Sequence, residues 1–203
     1  MRLYSLVIHL LVLLVFATPA SAGQSPLEIV RDTSTQMLMT LRDEKTSINQ
    51  NPARLHEMIA ENVMPCFDIE RMARWTLGKY WRNASMEQRE EFVKEFRALL
   101  VRSYGRVLVD YADAEIAYLP FRMKDDETQV KVNTELSRPH DDSVKITYNL
   151  HSTTSGWKVY DVVIEGVSLV TNYRSSFMSK VRQDGLDQLI YMLAAKNKKA
   201  GPT

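Results

Sequence analysis

The sequence predicts an α+β domain in which N-terminal and C-terminal helices pack against a curved, four-stranded antiparallel sheet. Apolar residues recur at helical spacing as far as Tyr111. Apolar and polar residues then alternate through much of 128–152, as in antiparallel strands that bury one face. Helical spacing returns after Gly166 and continues to Leu193. Helices, strands and helices therefore follow one another along the chain.

The N-terminal residues have the pattern of a secretory signal peptide. Arg2 gives a positive start, residues 3–16 are almost entirely apolar, and residues 20–22 form a small-residue cleavage site. The alternative, a membrane anchor, needs about 20 apolar residues, and this run is shorter and breaks at Pro19. We expect cleavage after Ala22, which leaves residues 23–203 as one soluble domain.

Three helices, the third of them short, are predicted from residues that start or end helices. Each begins with a side chain that can cap it, followed by apolar residues at helical spacing. Proline or glycine ends the second and the third. The starts are Ser25, Asn51 and Asp68, and the two ends are Pro65 and Gly78.

A fourth and longer helix is predicted to begin at Ser85, which forms a capping box with Gln88. If it continues to Tyr111 it would be about 40 Å long. That length exceeds what a small domain needs for one core helix, so we expect a bend near Gly105.

Four strands and two further helices complete the predicted fold. The strands form an antiparallel meander over residues 115–119, 128–136, 143–152 and 156–164. The helices follow at 167–181 and 186–193.

The fourth strand departs from simple alternation. Val159, Tyr160, Val162, Val163 and Ile164 would place apolar groups on both of its faces. One interpretation is a central strand covered on both faces. The other is that the apolar residues exceed what a core needs and line a cavity for an apolar ligand. The ten methionines and the tyrosines of the chain would suit such a cavity.

Charge and cysteine content exclude several classes of function. Arg2 is the only charged residue of the first 22, so the mature chain carries 25 Lys and Arg against 25 Asp and Glu. This balance argues against nucleic acid as a partner, because nucleic-acid-binding domains are basic. Cys66 is the only cysteine, so no internal disulfide can form. We interpret Cys66 as a small buried apolar residue.

A search for catalytic residues gives no specific pattern. The histidines of the mature chain are scattered and do not have the spacing of metal ligands. The sequence also contains no glycine-rich loop of the kind that binds phosphate. His151, Asp161 and Ser168 could be combined into a triad, but no G-x-S-x-G motif surrounds the serine. We expect Asp161 instead to accept hydrogen bonds from a neighbouring loop or to pair with Arg74 or Arg174. The sequence therefore predicts neither an enzyme nor a metal site.

Three segments of the mature chain resemble one protein family. They are PCFDIERMARWTLGKYW at 65–81, ASMEQREEFVKEFRALLVRSYG at 84–105, and GWKVYDVVIEGVSLVTNYRSSF at 156–177, which DGLDQLI follows at 184–190. The spacing G-W-x-x-x-D-x-x-x-E-G-V-S in the third segment is specific. The resemblance is to the MlaC family, also called the toluene-tolerance auxiliary family, and it spans nearly all of the mature chain.

The resemblance implies a fold related to the NTF2-like group and a monomeric periplasmic phospholipid carrier of Gram-negative bacteria. Such a carrier moves lipid between an outer-membrane lipoprotein–porin complex and an inner-membrane ABC transporter with an MCE domain, which maintains outer-membrane lipid asymmetry. No cofactor is implied besides the bound phospholipid. A ligand-free adaptor that bridges the membrane complexes and a small hydrolase of the same shape are the alternatives.

For a carrier, we expect the pocket between the curved sheet and the long helix. Apolar residues on those elements are the candidates for acyl-chain contact, and each could instead be ordinary core. The predicted tail contacts are Met72, Leu77, Phe96, Leu100, Tyr104, Leu108, Val132, Ile146, Tyr148, Val163, Val167 and Val170.

Overall fold

The computed structural model describes residues 23–139 and 141–199, so the predicted signal peptide lies outside the described residues. The predicted α+β class and the order of helices, strands and helices are confirmed. Within the described ranges, no helix has the length and apolarity that a membrane span requires.

The N-terminal helices begin where the capping residues predict. Ser25 and Glu28 form the predicted capping box, and Asn51 and Asp68 accept hydrogen bonds from the first turns of their helices. The bounds are α1 (Pro26–Asp43), α2 (Lys45–Gln50), α3 (Pro52–Met58), α4 (Ile69–Leu77) and α5 (Lys79–Asn83). The short helices α2 and α5 were not predicted as separate elements.

The second predicted helix changes form before Pro65 ends it. After α3 the chain makes a π-helical turn at Ile59–Val63 and a 3₁₀ turn at Met64–Cys66. Single π-helical turns of this kind are frequent at functional sites. Ile59, Val63, Met64 and Cys66 of this stretch also line a cavity.

The long helix α6 (Met86–Asp110) is continuous through Gly105. A Cβ atom at Gly105 would lie 3.0 Å from Cδ1 of Ile59 and 3.5 Å from Cδ2 of Leu55. The glycine therefore lets the π-helical turn approach α6 closely. The predicted bend does not interrupt the helix, and the missing side chain serves packing.

The sheet has five antiparallel strands in the order β1-β2-β3-β4-β5, one more than predicted. The fifth is a two-residue strand that the turn at Glu165 and Gly166 folds back onto β4. Both turn residues have positive φ, 48° and 80°. The bounds are β1 (Glu115–Tyr118), β2 (Gln129–Ser137), β3 (Val144–Thr153), β4 (Gly156–Ile164) and β5 (Val167–Ser168).

A β-bulge in β4 explains why this strand is apolar on both faces. Asn149 pairs with Asp161 and Leu150 pairs with Val159, so Tyr160 is the extra residue. The bulge lets Val159 and Val162, three residues apart, lie on the same face. Both interpretations of the strand hold in part, since one face borders a cavity and the other packs on helices.

Two hydrophobic cores form on either side of this cavity. The larger core joins the helices, and Phe92, Phe96 and Phe177 are packed at its centre. The smaller core joins the sheet to Val30 of α1. Two C-terminal helices, α7 (Leu169–Asp184) and α8 (Leu186–Lys199), pack onto the larger core.

Asp161 fixes the start of α7, which agrees with the first of its two predicted roles. Its carboxylate accepts hydrogen bonds from the Ser168 hydroxyl at 2.7 Å and from the Val170 N–H at 3.1 Å. Ser168 in turn caps the helix by accepting from the N–H of Thr171. The partners of Asp161 are thus the groups at the helix start and the side-chain amide of Asn149 in β3, whose Nδ2 donates at 3.5 Å, and not Arg74 or Arg174.

We expect Asp161→Ala to lower the free energy of unfolding by about 2–3 kcal/mol, because it leaves a buried N–H without an acceptor. Ser168→Ala should cost about 1 kcal/mol, the usual effect of losing an N-cap. Chemical denaturation of both variants and of the double variant measures the coupling. If the losses of unfolding free energy in the two single variants add up to the loss in the double variant, Asp161 and Ser168 do not act in one hydrogen-bond network.

Candidate ligand-binding cavity

A cavity of about 510 Å³ lies between the two cores. Its volume falls within the range of roughly 300–1,000 Å³ that is usual for ligand pockets. Most of its wall comes from α1, the turns at 59–66, the C-terminal half of α6 and one face of β1–β4, and Phe67, Met72 and Leu169 complete it. The residues that line it from these parts include Val30, Met37, Ile59, Met64, Leu100, Leu108, Leu136, Ile146, Val162 and Ile164.

The wall is apolar even where polar side chains contribute to it. Thr134 Oγ1 donates to the carbonyl of Ile146 at 3.3 Å. The Ser34 hydroxyl donates to the carbonyl of Val30 at 2.6 Å. Thr33 Oγ1 lies 3.0 Å from Sγ of half-buried Cys66. These groups are satisfied within the wall, so an apolar ligand would meet few unpaired polar atoms.

Part of the cavity wall is exposed to solvent at the end of the sheet near the C-terminal half of α6. Two of its wall residues are exposed there, Val107 at 46% and Glu165 at the turn after β4. Arg138 marks the same end, because its Cζ lies 4.1 Å from the ring centroid of the wall residue Tyr111. Its guanidinium also donates to the Asp110 carbonyl. The rim is therefore charged, whereas the interior is apolar.

Six of the twelve predicted tail contacts border the cavity. Met72 comes from α4, and the others come from α6 and β3, the long helix and the sheet between which the pocket is expected. These six are Met72, Leu100, Tyr104, Leu108, Ile146 and Tyr148.

The structure places the other six elsewhere. Leu77, Phe96 and Val170 belong to the helical core, and Val132 belongs to the sheet core. Val167 is 56% exposed because it lies in β5, beyond the turn and before α7. Val163 pairs with Thr147 on the strand face opposite Val162. The bulge at Tyr160 puts Val163 on the face opposite Val159 and Val162, which line the cavity.

Sequence reasoning missed the α1 wall, the π-helical turn and the strand residues beyond the predicted ones. The α1 residues Val30, Thr33 and Met37 lie at spacings of three and four, a signal equally typical of core. The alternation that selected Ile146 also includes Val144 on the same face. A search along each face could have found the strand residues, whereas the π-helical turn has no sequence signal.

Two tyrosines in the wall have raised pKa values. Loss of solvation raises the pKa of Tyr148 to about 12, assisted by the nearby Tyr118 phenol and opposed by a hydrogen bond with Thr134. Burial also raises the pKa of Tyr104, with a further contribution from Tyr173. Both phenols therefore stay neutral in a wall that disfavours charge.

Tyr148 should make stability depend on alkaline pH. The folded chain holds the phenolic proton above the ordinary pKa of 10.0. Its contribution is therefore complete below about pH 10 and is lost as pH rises towards 12. We expect Tyr148→Phe to lose less stability than the wild type between pH 10 and 11, measured by urea unfolding. Identical dependence of the unfolding free energy on pH in the wild type and in Tyr148→Phe would contradict the raised pKa of Tyr148.

The possible triad is not assembled. His151 Nε2 lies 2.8 Å from Oδ2 of Asp68, and Nδ1 lies 3.2 Å from Nη1 of Arg71. Because Arg71 can only donate, Nδ1 accepts and Nε2 carries the hydrogen that Asp68 receives. His151 therefore forms its hydrogen bonds with Asp68 and Arg71 and not with Ser168. The Ser168 hydroxyl donates a hydrogen bond to Asp161. Residues 23–139 and 141–199 contain no group of three or more His, Cys, Asp or Glu side chains that could hold a metal ion.

Fold and cavity together define an α+β protein with a large apolar cavity whose exposed wall residues lie near charged side chains. The family model described as MlaC protein matches residues 31–195. This chain belongs to the MlaC family.

Known relatives agree with this assignment. The chain is 25% identical to the toluene tolerance protein ttg2D of Pseudomonas putida, over 88% of this chain and 83% of the relative. It is 24% identical to the intermembrane phospholipid transport system binding protein MlaC of Haemophilus influenzae, over 84% and 81%.

A solved structure shows the same fold with a ligand. It is the phospholipid-binding protein from Ralstonia solanacearum in complex with a phospholipid, with a TM-score of 0.80 and 25% identity. The match covers 87% of this chain and 98% of that one.

Proposed function

We propose that this protein is a periplasmic phospholipid carrier that holds acyl chains in the cavity between its two cores. The observation that carries the proposal is the apolar cavity of about 510 Å³ with a charged rim. The phospholipid bound to the Ralstonia solanacearum relative supports the ligand class.

The cost of exposing acyl chains to water explains why a carrier is needed. Each buried CH₂ group contributes about 0.8 kcal/mol. Two chains of roughly 15 methylenes would therefore cost on the order of 20 kcal/mol to expose. A carrier must enclose the tails, whereas the charged head group can stay in water at the rim.

The route proposed for the lipid runs between the two membranes. One terminus is an outer-membrane lipoprotein–porin complex and the other is an inner-membrane ABC transporter with an MCE domain. The signal-peptide pattern of residues 1–22 supports the periplasm as the site of action. The proposed carrier is a monomer that holds its lipid in a cavity formed by a single chain.

A vesicle assay tests the carrier activity. Donor vesicles contain a phospholipid with a self-quenching fluorophore on its head group, and acceptor vesicles contain none. We expect dequenching to accelerate in proportion to protein concentration. A protein that binds lipid without accelerating transfer would be a storage protein, and one that binds none would leave the adaptor as the function. Hydrolysis products in the lipid fraction would indicate the hydrolase.

A further inference from the structure

A single acidic residue lines the otherwise uncharged cavity. Among residues 23–139 and 141–199, Glu165 is the only cavity-lining residue of the Asp, Glu, Lys, Arg and His types. It lies in the exposed turn directly after Ile164, the last residue of β4, which also lines the cavity. An ionised carboxylate needs water or hydrogen-bond donors. The turn therefore places a negative charge where the apolar cavity meets solvent.

Contacts with the backbone of Lys145 hold Glu165 at this border. The N–H of Glu165 donates to the Lys145 carbonyl at 3.0 Å. The carboxylate of Glu165 accepts a hydrogen bond from the Lys145 N–H. The φ of Glu165 is 48°, in the left-handed region that favours glycine. The chain thus keeps an anchored acidic side chain at a position where glycine would be less strained.

The cations nearest to this turn in the fold are directed elsewhere. Lys145 lies between the cavity-lining residues Val144 and Ile146, so its side chain projects from the opposite face of β3. Arg138, just beyond the end of β2, forms a salt bridge with Asp141 at 2.6 Å. In the described part of the chain, no cation that lines the cavity offsets the charge of Glu165.

The charge of Glu165 acts on the head group of a bound phospholipid. When the tails are enclosed, the phosphate stays at the border with solvent. Phosphatidylethanolamine offsets its phosphate with an ammonium group and is net neutral, whereas phosphatidylglycerol keeps a net negative charge. A carboxylate attracts the ammonium group and repels the uncompensated phosphate. Because the site is exposed, the effect should have the size of a surface ion pair.

We propose that Glu165 is a specificity-determining residue that favours phospholipids with an ammonium group in the head group over anionic phospholipids. This inference rests on the proposed function, because it concerns the head group of the lipid whose tails the cavity holds. The ligand class that the cavity selects is then a zwitterionic phospholipid.

A competition between two lipids with the same acyl chains tests the selectivity. Wild-type protein freed of copurified lipid is incubated with vesicles of equimolar dioleoyl phosphatidylethanolamine and dioleoyl phosphatidylglycerol, then reisolated and extracted. We expect mass spectrometry to give a ratio of the first lipid to the second of about five, which corresponds to about 1 kcal/mol. In 1 M NaCl the ratio should fall towards one, because the screening length is then about 3 Å.

Substitutions of Glu165 separate its charge from its structural contacts. Glu165→Gln keeps an oxygen that can accept from the Lys145 N–H but removes the charge, so it should take up both lipids equally. Glu165→Gly, which suits the positive φ, should do the same. Glu165→Lys should invert the ratio. Glu135→Gln is the control, because Glu135 lies between the cavity-lining residues Thr134 and Leu136 and projects from the opposite face of β2. It should keep the wild-type ratio.

The outcomes distinguish the selectivity from the carrier function. A folded wild-type protein that takes up both lipids equally, or prefers phosphatidylglycerol, overturns the selectivity and leaves the carrier function standing. Glu165→Gln and Glu165→Gly proteins that keep the wild-type ratio also overturn the role of Glu165. A wild-type protein that takes up neither lipid overturns the proposed function and the selectivity with it.

Discussion

Ile146→Glu is expected to abolish retention of phospholipid. Ile146 lines the cavity from β3, opposite Ile164. A carboxylate there is hydrated while the cavity is empty, but a bound acyl chain would displace that water. Burying an unpaired charge costs several kcal/mol, and each 1.4 kcal/mol weakens binding tenfold. We expect a loss of at least about a thousandfold, measured by native mass spectrometry of the purified variant.

Val167→Glu is the matched control. It adds the same charge two residues before α7 but at a position 56% exposed to solvent. This variant should keep its lipid, and circular dichroism should show both variants folded. An Ile146→Glu protein that folds and keeps a full complement of lipid would show that this wall does not contact the tails.

Phe96→Ala is expected to have the largest effect on stability. Phe96 is fully buried in the helical core, 5.4–5.8 Å by ring centroids from Phe92, Tyr173 and Phe177. Truncating a buried phenylalanine to alanine costs about 3–5 kcal/mol. For a chain of this size the melting temperature should fall by roughly 10 °C. Calorimetry measures the change.

The lipid content of this variant distinguishes core from ligand contact. Because Phe96 lies in the core and not in the cavity wall, Phe96→Ala protein held well below its melting temperature should keep its phospholipid. Phe96→Leu, which restores much of the volume, should recover most of the lost stability. A Phe96→Ala variant that keeps the wild-type melting temperature but contains no lipid would show that Phe96 contacts the ligand and is not part of the core.

Local sequence signals predicted most of the fold because the capping chemistry is explicit. Ser25, Asn51, Asp68 and Ser85 all cap helices as their side chains predict. Alternation likewise located β2 and β3 to within one residue at either end. These signals depend on neighbours in the chain, so one sequence contains them in full.

The cavity was less predictable because its wall depends on contacts between distant segments. A buried apolar residue of α6 has the same spacing whether it faces the core, as Phe96 does, or the cavity, as Leu100 does. The bulge at Tyr160 moves each later residue of β4 to the face opposite the one that simple alternation predicts. The bulge is visible only from the pairing of β4 with β3. The approach of Ile59 to Gly105 is equally invisible in sequence.

Mass spectrometry of organic extracts from the purified, folded protein tests the central claim most directly. The claim is that the cavity between the two cores holds phospholipid tails. We expect phospholipid in stoichiometric amount in the wild-type extract and its loss from Ile146→Glu prepared in parallel. A wild-type extract free of phospholipid, from protein that was never exposed to detergent, would contradict the claim.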